Sequence, residues 1–248
     1  MELGIGSRTA VVAAASAGLG FASAAALATE GVTVAICGRD RQRIEAAAGR
    51  IGAGCIPLVA DVSDADGAAR LVAAAVEALG HVDVVVTNAG GPPPGTFAST
   101  AVEAYPPALA LNLLSVVAMC KAAVPPMQER GWGRVVAITS VAVRQPMPNL
   151  ILSNTARSGV TGFLKTLARE VAGDGVTVNS VQPGLHATDR MNDLYGGRPD
   201  AAALGIPAGK LGDPADFGAV VAFLCSEQAR FVTGVQLHVD GGYYAGLL

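Results

Sequence analysis

The residues able to do chemistry concentrate in two short stretches of this chain. The first is Ala13-Ala14-Ala15-Ser16-Ala17-Gly18-Leu19-Gly20, which follows an apolar run and opens an alanine-rich segment. Glycine lets backbone approach a pyrophosphate, and a helix N-terminus offers it free N–H groups. A turn of this kind after a first strand therefore predicts a nucleotide site. The second stretch runs from Arg134 to Glu170. Its apolar run Val135-Val136-Ala137-Ile138 ends in Thr139-Ser140, a loop with Pro146 and Pro148 follows, and a helical pattern begins near Ser153. A buried strand that delivers a hydroxyl to its C-terminal tip, facing a helix that can present side chains to the same spot, is how an open α/β sheet assembles a reaction centre.

The elements that must position these groups can be read along the chain. Apolar runs at Ala10–Ala15, Val32–Cys37, Cys55–Ala60, Val82–Val86, Arg134–Thr139, Val176–Val181 and Val235–Val239 predict seven strands. Helix-length segments lie between them: Leu19–Glu30, Asp40–Ile51, one capped by Asp64 and stopped by Gly80, about Ala108–Met127, one from near Ser153, and Pro214–Ser226. The runs are apolar throughout rather than alternating, as expected of parallel strands covered on both faces. Strand and helix alternate to the end. The prediction is an α/β fold with one doubly wound, parallel, seven-stranded sheet of Rossmann type and helices on both faces, forming a single domain over residues 1–248. Leu185–Gly209, with Gly196-Gly197, Pro199, Gly205 and Pro207, is too long for a plain connection and predicts a lid over the site, at about residues 185–209.

Composition excludes several function classes. The chain is 51% hydrophobic and 15% charged over 248 residues, enough for a substantial core. A formal charge of -3 leaves no basic surplus to neutralise phosphates, so no nucleic-acid partner is expected. No apolar run reaches the ~18 uncharged residues expected of a membrane span, so no membrane partner is expected either. No secretory signal is readable, and a cytoplasmic location is the default expectation. Cys37, Cys55, Cys120 and Cys225 are scattered without Cys-x-x-Cys spacing, which predicts buried free thiols and no metal site.

Gly18-Leu19-Gly20, Asp61-Val62, Asn88-Ala89-Gly90, Asn112, Ser140, Pro183-Gly184 and the terminal Asp240-Gly241-Gly242 together resemble the short-chain dehydrogenase/reductase family, in its 3-oxoacyl-[acyl-carrier-protein] reductase-like branch. The resemblance covers nearly the whole chain. It implies that Ser16, Gly18, Leu19 and Gly20 line the cofactor phosphates. Asp61 and Val62 would meet the adenine, Asn88 and Gly90 would close over the adenine ribose, and Pro183 and Thr188 would hold the nicotinamide end. Arg39, just past the second strand, favours a ribose 2′-phosphate where an acid would bind the 2′-hydroxyl. NADP(H) is thus expected over NAD(H). The pattern departs from the family at Ala13 and Ala14, where Thr-Gly is usual. Alanine there costs little at negative φ and a good deal if the turn needs φ > 0.

The family's chemistry implies four groups: a proton-donating tyrosine, a lysine four residues on, a serine at the substrate oxygen, and an asparagine supporting a water relay. Asn112 and Ser140 match the last two. Family spacing places the tyrosine at Ser153 and the lysine at Arg157. A serine hydroxyl is a far weaker acid than a phenol and much shorter. Arg157 keeps the charge and can still fork onto ribose hydroxyls, but a guanidinium does not shuttle protons. His186, which titrates near neutrality, and Tyr195, deeper in the lid, are the candidate substitutes, against a surface role in the lid for His186. Arg144 and Gln145 are candidate ligands of a substrate carboxylate or phosphate, or rim residues.

Two functions are compatible with this pattern. One is an NADP(H)-dependent oxidoreductase acting on a small carbonyl, alcohol or acyl thioester with an altered acid–base centre. The other is a degenerate member that binds a nucleotide or metabolite as a partner or sensor. By resemblance the chain is expected to form a homo-oligomer, a dimer or tetramer, through the helices carrying Asn112 and Arg157.

Overall fold

Seven strands align in parallel in the computed structural model: β1 (Thr9–Val12), β2 (Thr33–Gly38), β3 (Ile56–Val59), β4 (Val84–Thr87), β5 (Gly133–Ile138), β6 (Val176–Pro183) and β7 (Gln236–Val239). Their order across the sheet is β3-β2-β1-β4-β5-β6-β7. The helices are α1 (Gly18–Thr29), α2 (Arg41–Ile51), α3 (Ala65–Leu79), α4 (Tyr105–Leu109), α5 (Ser115–Glu129), α6 (Ile151–Val171), α7 (Asp189–Tyr195) and α8 (Pro214–Leu224). The structure describes residues 2–52, 54–197 and 199–247, apart from the Leu194 side chain. Met1 and Leu248 of the expected 1–248 domain, Ala53, and Arg198 of the expected lid lie outside the described residues.

Every residue of β1, β4 and β5 is buried, which is why these runs are apolar without alternation. Side chains that alternate along them feed two cores. Val12, Ile36 and Val84 meet Leu27 and Phe217 of α1 and α8 on one face. Val11, Val85 and Val135 meet Leu71, Met119 and Leu164 of α3, α5 and α6 on the other. The edge strands β3 and β7 are only part-buried. Local signals set the helix ends as expected: Asp64 caps α3 by accepting from Gly67 N at 2.7 Å, and Gly80, at φ 82°, stops it. The strand expected to run to Ala15 ends at Val12 instead, because the chain turns sharply at Ala14.

The long helix expected over about Ala108–Met127 is longer and interrupted. It begins with a 3₁₀ turn at Val102–Ala104, continues as α4, widens into a π segment at Ala110–Leu114 and resumes as α5. Such a bulge adds a residue to one turn and re-aims the side chains there; here it places Asn112 in the interior. Val102–Glu129 is long and apolar enough by composition to cross a membrane. It is packed as a core helix, with Val116, Met119, Val124 and Met127 against the sheet. The expected lid is not wholly irregular. It contains α7, capped by Thr188 and ended by Gly196 at φ 68°, and it carries a small apolar cluster of Leu185, Met191, Ala201 and Ile206 packed on Met147 and Tyr243. All four cysteines are free. Cys37, Cys120 and Cys225 are buried as expected, while Cys55 is only part-buried.

At the N-terminal end of β5 sits a buried charge. Arg134, 1% exposed, donates to the carbonyls of Gly133, Gly175 and Ser226, lies 3.9 Å from Glu227, and stacks on Trp132. Arg8 covers the same indole ring at 3.8 Å, and Trp132 Nε1 donates to Glu227 at 2.8 Å.

Candidate functional site

Strands β1 and β4 are neighbours whose connections leave in opposite directions, so a crevice opens outside their C-terminal ends. A cleft of about 700 Å³ occupies that place. Its walls are the turn after β1, the 88–91 turn after β4, the tip of β5, the first turns of α6, and the 185–195 part of the expected lid. A second hollow of about 840 Å³ lies between α1 and α8, walled largely by alanine and phenylalanine, and holds none of the expected catalytic groups.

The turn after β1 is built for close approach. Gly18 has φ 61°, and Gly20 has no room for a Cβ, which would lie 2.7 Å from both Ala14 O and Asn88 Nδ2. Asn88 donates to Ala14 O at 3.2 Å, so it ties the β4 turn to the β1 turn. Ala14, where the family's glycine would sit, has φ 48° and is one of two non-glycine residues with positive φ among those described. The left-handed conformation is therefore required and is imposed on an L-residue. It is held by the Asn88 bond and by Ala14 N donating to Cys37 Sγ at 3.3 Å. The N-cap of α1, Ala17, makes no side-chain cap, and the first turn carries no acid. Its free N–H groups and the absence of a competing carboxylate fit a phosphate-bearing ligand.

Three of the four expected catalytic residues, Ser140, Ser153 and Arg157, line the cleft, and Asn112 lies buried behind its Gly90 wall. Ser140 follows β5 and its Oγ accepts from Ala142 N at 3.1 Å, which leaves its own proton free to donate. Ser153, on the first turn of α6, is 9% exposed and lines the cleft, with no hydrogen bond among the described residues. Asn112 is 3% exposed; its Nδ2 donates to Gly90 O at 2.9 Å, while its Oδ1 is buried with no partner. An orphaned buried acceptor beside a cleft is where a water or ligand donor belongs. Arg157 sends Nη1 to the carbonyls of Ile138 and Thr139, both at 3.1 Å. Burial, and then the Arg190 guanidinium, push its pKa down to about 10, so it remains a cation at neutral pH.

Ser16, Gly18, Leu19, Asn88, Gly90, Pro183 and Thr188 all line the cleft. Thr188 also accepts from Met191 N, and so fixes α7 against the glycine turn. Arg39, Asp61 and Val62 are placed off its wall: Arg39 is exposed, the Asp61 carboxylate accepts from Ser63 N at 2.9 Å, and the Val62 side chain is in the core. His186 is not a surface lid residue. It is 4% exposed, edge-on to Phe217 and packed on Gly212, with Nδ1 3.4 Å from Gly184 O. Burial lowers its pKa despite the nearby Gly184 carbonyl and Asp213, Asp216 and Asp240, which disfavours its protonated form, although the residue lines the cleft. Tyr195 lies on the cleft rim, 45% exposed. Arg144 and Gln145 turn away, Arg144 to Gln236 and Gln145 to Ala245 N.

Sequence reasoning misses two cleft arginines. Arg43 lines it from the first turn of α2. Arg190, in the first turn of α7, reaches across to Gly91, whose added Cβ would lie 2.8 Å from the guanidinium carbon. An extra glycine after Asn88-Ala89-Gly90 was the only trace of it in the sequence.

A family model described as Enoyl-(Acyl carrier protein) reductase matches residues 13–244. Dehydrogenase/reductase SDR family member 4 of Homo sapiens is 34% identical over 244 residues, covering 96% of this chain and 88% of that protein. The 3-oxoacyl-[acyl-carrier-protein] reductase FabG of Vibrio cholerae is 32% identical over 237 residues, covering 96% and 97%. Among solved structures, the NADPH-bound short-chain oxidoreductase of Pseudomonas aeruginosa PAO1 containing an atypical catalytic center superposes with a TM-score of 0.91 at 30% identity, covering 98% and 99%.

Proposed function

The chain belongs to the short-chain dehydrogenase/reductase family of oxidoreductases, and from there we propose that it uses NADP(H) to interconvert a carbonyl and an alcohol, with a held water taking the place of the family's phenol. The observation that carries this is that Ser140, Ser153 and Arg157 line one cleft with the glycine turn, while Asn112, its Oδ1 unpartnered, is buried behind the cleft wall and bonded to Gly90 of it. NADP(H), when bound, supplies or accepts the hydride. The residues of the chain do the rest. Ser140, its oxygen occupied by Ala142 N, points its hydroxyl proton at the substrate oxygen and stabilises the charge that develops there. Arg157 is fixed by the β5 carbonyls through Nη1, and its remaining donors hold the ribose hydroxyls at the nicotinamide end. Ser153 leaves empty the volume a tyrosine ring would fill. A water there, bridged between the Ser153 hydroxyl and the Asn112 side, delivers the proton from solvent.

Preference for NADP(H) over NAD(H) is supported by Arg39 and Arg43 near the end of β2. It is supported too by Asp40 having its carboxylate engaged in capping α2, where it accepts from Arg43 N at 2.8 Å. The NADPH-bound state of the Pseudomonas relative points the same way. The apolar lid cluster suits an acyl or alkyl body on the substrate, in keeping with the FabG relative and with a carbonyl or acyl thioester. A homo-oligomer formed through α5 and α6 goes with the family, and light scattering after size exclusion tests it.

One observation favours a second reading, in which the chain binds nucleotide without turnover: Arg157 spends two hydrogen bonds on the scaffold. NADPH and NADH binding by calorimetry, followed by NADPH oxidation with a panel of ketones and 3-oxoacyl thioesters, separates them. Binding with turnover supports the enzyme; binding with no turnover supports the non-catalytic reading. No binding of either nucleotide removes both.

A further inference from the structure

Three arginines and two aspartates line this cleft, and two of the arginines lie close to one another. Arg157 comes from the floor and Arg190 from the lid. Among the described residues neither forms an ion pair, although Asp189 and Asp193 line the same cleft. Arg190 is exposed, but its guanidinium is laid against one place on the cleft wall. Its guanidinium lies on the backbone of Gly91, and any side chain at that position would displace it. A cation from the segment after β6 thus lies over the cleft where the glycine at position 91 leaves room for it. The two cations are near enough that Arg190 disfavours the charge on Arg157. Like charges brought together in a partly buried cleft are an arrangement that an anion relieves, and a planar fork recognises a carboxylate or phosphate oxygen pair best.

The anions of a dinucleotide are already provided for at the other end, by the free N–H groups of α1 for the pyrophosphate and by Arg39 and Arg43 for a 2′-phosphate. Resting on the oxidoreductase reading above, we infer that Arg190 is a specificity-determining residue that binds an anionic group, a carboxylate, on the carbonyl substrate itself. The substrate class is thereby narrowed to oxo acids, whose charged end lies under the lid while Ser140 takes the carbonyl.

The test uses the NADPH-saturated full chain and a panel of 2-, 3- and 4-oxo acids, each paired with its methyl ester, with affinity read by calorimetry and turnover read separately. At least one oxo acid is expected to bind about ten-fold more tightly than its ester. That preference is expected to disappear in Arg190→Leu, to be partly kept in Arg190→Lys, and to disappear again in Gly91→Ala, where the arginine is present but pushed aside. The affinity for NADPH should stay within about two-fold in all three, as expected when an altered group does not touch the cofactor. If every ester binds as well as its acid, the inference is overturned. It is also overturned if Arg190→Leu weakens NADPH as much as it weakens the oxo acid, since Arg190 then serves the cofactor. Binding preference without turnover would keep Arg190 in this role and count against the enzymatic reading alone.

Discussion

In the reaction proposed above, Ser153 and Arg157 stand where proton delivery must be arranged, and each changes a different part of it. The short hydroxyl of Ser153 opens space for water, and Arg157, with its pKa at about 10, stays charged and holds rather than shuttles. Restoring both groups by Ser153→Tyr with Arg157→Lys should raise the rate of ketone reduction by roughly 10²-fold, the lower end of what a positioned general acid contributes. Either change alone should give much less, because the phenol needs the amine to lower its pKa. His186 makes the opposite prediction. Its pKa is lowered in the fold, so above the unfolded value of ~6.5 it is neutral in both states and contributes no pH dependence. As pH falls below that value the unfolded chain takes a proton that the fold resists, and stability drops by at most about 1.4 kcal/mol per pH unit. Urea titrations at descending pH should show this slope, and His186→Gln should flatten it while leaving turnover in place. That Ser140, Ser153 and Arg157 line one cleft accords with where the family resemblance placed them. The burial of His186 was not legible, because nothing in Pro183-Gly184-Leu185-His186 tells which way the ring turns.

The turn after β1 shows how an element can be legible in outline and hidden in detail. Its glycines announced a phosphate cradle, but whether alanine could replace the family's glycine depended on a backbone angle. At φ 48° Ala14 is strained. A left-handed L-residue costs ~1–2 kcal/mol, and glycine returns ~0.4–1 kcal/mol of that through a more flexible unfolded chain. Ala14→Gly should therefore stabilise the protein by about 0.5–1 kcal/mol, seen as a rise of roughly 1–4 °C in Tm. Gly20→Ala should do the reverse, by about 1–3 kcal/mol, because its Cβ would press on Ala14 O and Asn88. Thermal melts of both variants check the pair. Likewise the strands were readable because burial on two faces demands unbroken apolar runs. The seven residues of α7 are too few to show a helical period beside Gly196-Gly197, and the π segment around Asn112 leaves no mark in composition.

At the scale of the whole chain, a cleft walled by the tips of several strands of one sheet would couple nucleotide binding to global stability. NADPH at about 100 times its Kd should stabilise the fold by roughly 2.7 kcal/mol, or ~5–10 °C in Tm for a chain of this size, with NADH doing less at equal concentration. An equal response to both would remove the roles given to Arg39 and Arg43. The architecture was almost fully legible, since alternation of strand and helix leaves few topologies. The lid's reach across the cleft, from Arg190 to Gly91, was not, because those two residues are far apart in sequence and nothing local joins them. The cluster of Arg134, Trp132, Arg8 and Glu227 lies at the far end of the same strand whose tip carries Ser140. It fixes the N-terminal end of a strand that β4 and β6 flank on both sides. Backbone amides near Arg134 should then exchange with deuterium only when the entire chain unfolds, while those in the 140–150 loop and in α7 exchange through local opening. Changes at the reacting end can accumulate there without loosening the cluster at the other end.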